Sequence, residues 1–80
     1  MRSVNIGLIG LGTVGGGVAR LISTHHDKYL EHYGIDLNLK RACSRDDAEA
    51  KRLGLAEGVF TFDWKDVVED PEIDIVVELI

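Results

Sequence analysis

The hydrophobic and polar positions of this chain follow two alternating spacings. Short runs that are rich in apolar residues, or that alternate apolar with polar ones, predict strands over residues 4–9, 37–43, 59–62 and 73–80. Segments with apolar residues at helical spacing predict helices over residues 13–32, 46–53 and 64–69. The last strand is almost wholly apolar, which is typical of a parallel strand covered on both faces.

The first predicted helix carries its bulky apolar residues on one face. Val14, Val18, Leu21 and Ile22 recur at helical spacing, and this pattern predicts that they face the core. Gly34 marks the end of this helix, because glycine readily adopts the left-handed conformation that terminates helices. The aromatic residues Phe60, Phe62 and Trp64 are also predicted to belong to the core.

A glycine motif joins the first predicted strand to the first predicted helix. It reads Gly10-Leu11-Gly12-Thr13-Val14-Gly15 and fits the G-x-G-x-x-G fingerprint of dinucleotide-binding turns. In such turns the first glycine allows a tight bend, the second lets the backbone approach a pyrophosphate, and the third lets the helix pack closely. Free N–H groups at the helix start, near Thr13 and Val14, then face the phosphates. The alternative is a glycine-rich turn without a ligand.

The order of the predicted elements is βαβαβαβ, which indicates an α/β fold with a parallel sheet and right-handed crossovers. With the glycine motif, it predicts a partial Rossmann-type sheet with the strand order 3-2-1-4. A complete doubly wound domain has about two more strands. Residues 1–80 are therefore interpreted as the N-terminal part of a dinucleotide-binding domain, without a catalytic or substrate domain. The last strand is expected to form an apolar edge that is prone to aggregation.

The residues after the second predicted strand are expected to select the cofactor. Counting from the fingerprint points to Asp36 as the acid that holds the ribose. However, Asp36 opens the second strand, and the ribose lies at the carboxyl ends of the strands, so Asp36 is rejected. At the correct end lie Ala42, Ser44 and Arg45, and the last two can hold a 2′-phosphate. NADP is thus the expected cofactor. NAD is the alternative, because Asp46 could reach the ribose hydroxyls.

The remaining features narrow the functional class. The net charge of −5 argues against a nucleic-acid partner. A single cysteine and the lack of an apolar run of about 20 residues favour a cytoplasmic protein without a membrane span. The three histidines of the first helix are expected to be solvated rather than to bind a metal. Glu78 interrupts an apolar strand, and such a buried carboxylate is expected either to organise the site or to bond to neighbouring backbone.

Three stretches of the chain carry a family resemblance. The run V-N-I-G-L-I-G-L-G-T-V-G-G-G-V from Val4 resembles the start of bacterial homoserine dehydrogenases. The segment from Lys40 to Asp46 and the pattern D-W-x-x-V-V-x-D-P-x-I-D-I-V-V-E-L-I from Asp63 are similar to that family as well. The glycine pair that usually follows in the family is not present in this chain.

The resemblance implies an NAD(P)-binding segment of an enzyme that reduces aspartate semialdehyde to homoserine, on the route to threonine, methionine and isoleucine. It also implies that Gly10, Gly12, Thr13, Val14 and Gly15 hold the pyrophosphate and that Arg45 lies by the adenosine ribose. The catalytic lysine and aspartate of the family, and its dimer-forming domain, would lie further along the chain. The segment alone is therefore expected to be inactive. Another Rossmann dehydrogenase, such as an aspartate-semialdehyde or inositol-phosphate-synthase relative, and a non-catalytic nucleotide-binding module are the alternatives.

Overall fold

The computed structural model describes residues 2–79, and within them strands and helices alternate. The elements are β1 (Arg2–Ile9), α1 (Thr13–Tyr33), β2 (Ile35–Cys43), α2 (Ala48–Leu53), β3 (Phe60–Thr61), α3 (Lys65–Val68) and β4 (Ile75–Glu78). The predicted alternation is confirmed, although β3 and β4 are shorter than expected. Ile80, the last residue of the predicted final strand, lies outside the described residues.

The strands form one four-stranded sheet with the order β3-β2-β1-β4, and every pair in it is parallel. The predicted Rossmann-type α/β fold is confirmed. The register brings three strand ends together, because Ile9 of β1 pairs with Cys43 of β2 and with Glu78 of β4. The residues that follow β1 and β2 therefore meet at the carboxyl edge of the sheet, together with the end of β4.

Helices cover both faces of the sheet. Successive residues of β1 point to opposite faces, and each face packs against different helices. Leu8 is fully buried in one cluster, which includes residues of α1 and α2, and Ile9 belongs to a second cluster with Val67 of α3. α3 lies very close to β1, since a Cβ at Gly7 would come within 2.6 Å of the Val67 side chain. Burying such side chains completely stabilises the fold by roughly 1.5–3 kcal/mol each.

The end of α1 agrees with the prediction. Gly34 adopts the left-handed conformation with φ 66°, and its N–H donates to the carbonyl of Leu30 at 3.0 Å. Glycine takes this conformation without the steric cost that a Cβ would add. The chain can therefore enter β2 directly after the helix.

The predicted buried face of α1 is confirmed for Ile22 and for Val18, which packs against the core, and it is wrong for Val14 and Leu21. Val14 and Leu21 are 66% and 60% exposed, whereas the buried residues are Gly15, Gly16, Ala19 and Ile22. Three of these four buried residues are glycine or alanine, and the fourth is the bulky Ile22. Hydrophobicity alone therefore does not tell which residues of α1 are covered.

The expectation that β4 is covered on both faces is also wrong. Ile75 and Val76 are 49% and 43% exposed. β4 is one of the two outer strands of the described sheet and pairs with β1 along one side. Residues 2–79 therefore leave part of the apolar surface of β4 exposed.

Candidate functional site

A cleft of about 710 Å³ opens at the carboxyl edge of the sheet. Open parallel sheets bind their ligands in this position, where neighbouring crossovers leave on opposite faces. Three loops and the end of β4 line the cleft, and the lining residues are Ile9, Gly10, Leu11, Gly12, Cys43, Ser44, Arg45, Asp46, Phe62, Trp64, Val68 and Glu78.

The turn out of β1 depends on Gly10. Its φ is 102°, which lies in the region that side chains rarely adopt. Its N–H donates to the carbonyl of Cys43 at 2.8 Å, so the pairing of β1 with β2 continues into the turn. The backbone therefore stays anchored to the sheet while it bends sharply towards α1.

Gly15 and Gly12 are required for different reasons. A Cβ at Gly15 would lie 1.9 Å from the carbonyl oxygen of Gly10, so the protein's own backbone excludes any side chain there. A Cβ at Gly12 would meet nothing within 4 Å. The space beside Gly12 is thus free for a ligand that approaches the backbone, and these residues fit a bound pyrophosphate.

The start of α1 favours an anion. Its N-cap is Gly12, which has no capping side chain, and its first turn carries no acidic residue. The first helical N–H groups, those of Thr13, Val14 and Gly15, precede the point at which intrahelical bonding begins. They present the positive end of the helix dipole, which attracts phosphate. Thr13 and Val14 are exposed and do not line the cleft wall itself.

The loop after β2 places a cation in the cleft. Arg45 is exposed and lines the cleft beside Ser44, and no ion pair of Arg45 is found within residues 2–79. Asp46 uses Oδ1 to accept a hydrogen bond from the N–H of Ala48 at 3.0 Å, at the start of α2. Ala42, which the sequence places near the cofactor, is fully buried in the core and does not line the cleft.

Asp36 lies at the opposite end of β2, as predicted. Its Oδ1 lies 2.5 Å from Nε2 of His26, and hydrogen bonds with Asn38 and His26 lower the pKa of the Asp36 carboxyl. Asp36 therefore ties α1 to β2 at the amino edge of the sheet, away from the cleft.

The prediction that Phe62 and Trp64 are core residues is wrong. They are 64% and 54% exposed and line the cleft, whereas Phe60 packs against the core cluster. β3 ends at Thr61, so the chain has already left the sheet at Phe62. Their position directly after the third strand was the signal that sequence reasoning missed, because all carboxyl ends of a parallel sheet meet at one edge.

The carboxylate of Glu78 and the thiol of Cys43 both line the cleft, but they differ in burial. The prediction that Glu78 is buried is wrong, because it is exposed and lines the cleft at the end of β4. Its carboxylate can remain hydrated, so the cost of burial does not apply to it. Cys43 is only 7% exposed, and burial raises the pKa of its thiol. Cys43 therefore stays a neutral thiol at the base of the cleft.

Neither a metal centre nor a membrane-spanning helix occurs in the part of the chain that the structure describes. Across residues 2–79, no group of three or more histidine, cysteine, aspartate or glutamate side chains is arranged to hold a metal ion. None of the helices in that range has the length and the apolar character to cross a membrane.

Comparison with known proteins agrees with this geometry. The family model described as the homoserine dehydrogenase NAD-binding domain matches residues 10–79. A homoserine dehydrogenase of Bacillus subtilis is 36% identical over 80 residues, which are 100% of this chain and 18% of the relative. One of Methylobacillus glycogenes is 35% identical over 80 residues and is covered to 19%.

Solved structures give the same result. A homoserine dehydrogenase from S. aureus superposes with a TM-score of 0.85 at 32% identity, over 98% of this chain and 20% of that one. The enzyme from Thiobacillus denitrificans has a TM-score of 0.79 at 42% identity, over 100% of this chain and 18% of that one. The chain thus spans less than a quarter of the length of these relatives. With its glycine turn, its parallel sheet and a matching family model, the chain belongs to the homoserine dehydrogenase NAD-binding domain family.

Proposed function

We propose that this chain binds NADP as the N-terminal part of the dinucleotide-binding domain of a homoserine dehydrogenase, which reduces aspartate semialdehyde to homoserine. The observation that carries the proposal is the open approach to Gly12 at the start of α1, in a chain of this family. The catalytic and dimer-forming parts are proposed to lie outside these 80 residues, because the relatives are covered only to 18–19%.

The cleft and the adjoining start of α1 hold different parts of the cofactor. The backbone N–H groups at the start of α1 hold the pyrophosphate, and Gly12 lets it approach. Ser44 and Arg45 hold the adenosine ribose with its 2′-phosphate. When bound, the reduced cofactor supplies the hydride that converts an aldehyde to an alcohol. The part of the chain described here binds and orients the cofactor.

The preference for NADP over NAD is supported by the charges after β2. Arg45 is an exposed cation with no ion pair among residues 2–79, so it is free to meet a phosphate. Asp46 already accepts a hydrogen bond through Oδ1 from the N–H of Ala48, which reduces its capacity to accept hydrogen bonds from ribose hydroxyls. Charge-assisted hydrogen bonds between a guanidinium and a phosphate are stronger than bonds between neutral groups.

Calorimetric titration of the 80-residue chain with NADPH and with NADH tests the proposal. We expect NADPH to bind at least about 10-fold more tightly, since a charged hydrogen-bonded contact is worth about 1.5–3 kcal/mol. Arg45→Gln should remove most of this difference by weakening NADPH binding, and it should leave NADH binding unchanged.

The matched control is Arg20→Gln, which removes the same charge from an exposed position of α1 that does not line this cleft. It should leave both affinities within about 2-fold, because Arg20 is exposed and outside the cleft lining, so that solvent and salt screen its charge. Tighter binding of NADH, or an equal effect of both variants, would contradict the choice of NADP.

The alternative function, a non-catalytic nucleotide-binding module, is distinguished from a dehydrogenase by an assay of NADPH oxidation. Residues 1–80 alone are expected to bind cofactor without consuming it. A protein that joins this chain to the catalytic part is expected to oxidise NADPH when aspartate semialdehyde is added. Cofactor binding without such turnover in that longer protein would favour the module.

A further inference from the structure

We infer that Phe62 and Trp64 form an aromatic wall on which the adenine ring of the cofactor stacks, and that Trp64 is a residue that sets affinity for the adenosine half. This inference rests on the proposed function, because it assigns a part of the same cleft. Val68 also lines the cleft and adds an aliphatic surface to that of the two rings.

The first observation is a concentration of exposed apolar side chains inside a cleft. Phe62, Trp64 and Val68 are 64%, 54% and 45% exposed, and all three line it. Single exposed hydrophobic residues are common on protein surfaces, but a group of them within a concave site indicates a ligand that covers them. An aromatic surface suits a flat, apolar ring face better than it suits a phosphate or a ribose.

The second observation is that the wall is held in place by bonds and contacts of its own. Phe62 meets Phe60 edge to face, with ring centroids 4.9 Å apart and an interplanar angle of 85°. Phe60 in turn packs against the core. The contact with Phe60 therefore favours this orientation of Phe62 without a ligand, and a side chain that is already oriented lowers the entropy cost of stacking.

The backbone that carries Trp64 is fixed as well. The carbonyl of Trp64 accepts hydrogen bonds from the N–H groups of Val67 and Val68 at 3.0 and 3.2 Å. On its other side, Asp63 Oδ1 accepts from the N–H of Lys65 at 3.0 Å, and the Asp63 N–H donates to Thr61 Oγ1 at 3.1 Å. Trp64 thus lies on a rigid turn although its side chain is half exposed.

The third observation is the order of the strand ends. From β1 to β2 to β3, the sheet presents the glycine turn, then Ser44 and Arg45, then Phe62 and Trp64. Each step is one strand spacing of about 4.8 Å. Pyrophosphate, ribose and base follow each other in the same order along the adenosine half of a dinucleotide. The aromatic wall therefore lies where the base arrives once the first two groups are bound.

Trp64 is the only tryptophan of the chain, so its fluorescence reports directly on the wall. We would titrate the 80-residue chain with adenosine 2′,5′-bisphosphate and with nicotinamide mononucleotide. The bisphosphate is expected to change Trp64 emission saturably and to be displaced by NADPH. The mononucleotide, which lacks adenine, is expected to leave the emission unchanged over the same concentrations.

Substitutions separate stacking from a structural role. Measured by calorimetry, Trp64→Ser should weaken binding of the bisphosphate by about 5- to 30-fold, and Trp64→Phe should restore it to within about 3-fold, as base stacking on aromatic rings predicts. Both variants should keep the urea midpoint of the parent, because the side chain is half exposed. Tyr33→Ser removes an aromatic residue of 69% exposure at the far end of α1 and should change nothing.

The outcomes distinguish this inference from the proposed function. If calorimetry shows that the chain binds neither NADPH nor NADH, the proposed function fails and the aromatic wall fails with it. If NADPH binds but the bisphosphate leaves Trp64 emission unchanged, or Trp64→Ser binds it as tightly as the parent, only the aromatic wall is overturned. The fluorescence of the unsubstituted chain decides the matter even if Trp64→Ser does not fold.

Discussion

Two glycines of the same turn illustrate how differently one residue type can act. Gly15 has no room for a Cβ, because the carbonyl oxygen of Gly10 occupies that place at 1.9 Å. Gly12 has an ordinary backbone with φ −69°, and a Cβ added to it would meet nothing within 4 Å. Gly15 therefore serves the fold, and Gly12 serves the ligand.

Substitution by alanine should separate these two roles. Gly15→Ala is expected to lower the free energy of unfolding by about 1–3 kcal/mol, as for other overpacked sites. Gly12→Ala should leave that free energy within about 1 kcal/mol of the parent, since alanine adopts its backbone conformation without strain. It should nevertheless weaken NADPH binding by about 10-fold or more, because the methyl group occupies the approach of the pyrophosphate.

Urea unfolding and calorimetric titration of both variants provide the measurement. The reverse pattern, with Gly12→Ala unstable and Gly15→Ala unaffected, would contradict the assignment. Gly17→Ala is the matched control, because a Cβ there also meets nothing within 4 Å but Gly17 does not line the cleft. Gly17→Ala should lower neither the free energy of unfolding nor the affinity for NADPH.

At the scale of elements, α1 is joined to the sheet at both ends by different means. At its start, close backbone contact replaces side-chain packing. Towards its end, Nε2 of His26 lies 2.5 Å from Asp36 at the beginning of β2, and Nδ1 lies 3.2 Å from Asp27. The backbone contact at the start of α1 is insensitive to pH, whereas the contact between His26 and Asp36 depends on the charge of the histidine.

This pair predicts a pH dependence of stability. The hydrogen bond to Asp36 is the main cause that raises the pKa of His26 above 6.5, so its stabilisation is complete below pH 6.5 and is lost as pH rises through the raised pKa. Hydrogen bonds, first with Asn38 and then with His26, hold the pKa of Asp36 below 3.8. The Asp36 contribution is therefore present above pH 3.8 and is lost as pH falls through the lowered pKa.

Urea unfolding at a series of pH values tests this expectation. The parent should lose stability as the pH rises from 6.5 through the raised pKa of His26, and His26→Gln should show a smaller loss. His32→Gln, at an exposed position of the same helix, should behave as the parent does. The effect should shrink in high salt, because the pair lies partly in solvent. An identical pH profile for the parent and His26→Gln would contradict the role of the pair.

At the scale of the whole molecule, the chain is small and its sheet ends on an apolar outer strand. Ile75 and Val76 of β4 remain 49% and 43% exposed, and the strand has a side that pairs with nothing in residues 2–79. Unpaired apolar edges promote association between sheets. The net charge of −5 opposes this tendency only in part.

We therefore expect the 80-residue chain to associate reversibly as its concentration rises. Val76→Lys should reduce this association, because a charged side chain on an outer strand resists pairing with another edge. The free energy of unfolding should change by less than about 1 kcal/mol, since the position is partly exposed.

Sedimentation velocity over a range of concentrations gives the measurement. Leu21→Lys introduces the same charge at a 60% exposed apolar position of α1 and serves as the control. Equal effects of the two substitutions would indicate a response to net charge and would contradict association through β4.

The sequence predicted the fold more completely than the site. The alternation of elements and the glycine motif were enough for the strand order, because crossovers between parallel strands have a fixed hand. They also identified Gly10, Gly12, Ser44 and Arg45 as residues of one edge. Hydrophobicity did not place Phe62 and Trp64 in the cleft, because it suits a core and a ligand surface equally well, and the end of the third strand was the signal that was missed.

The sequence by itself determined the order of the elements, the tight turn and the family, since each depends on local spacing that a single chain displays directly. Only the tertiary structure decided which apolar residues are covered. It left Val14 and Leu21 on the exposed side of α1, and it left Glu78 exposed to solvent at the end of β4. Burial depends on what lies opposite a residue, and that neighbour is distant in the chain.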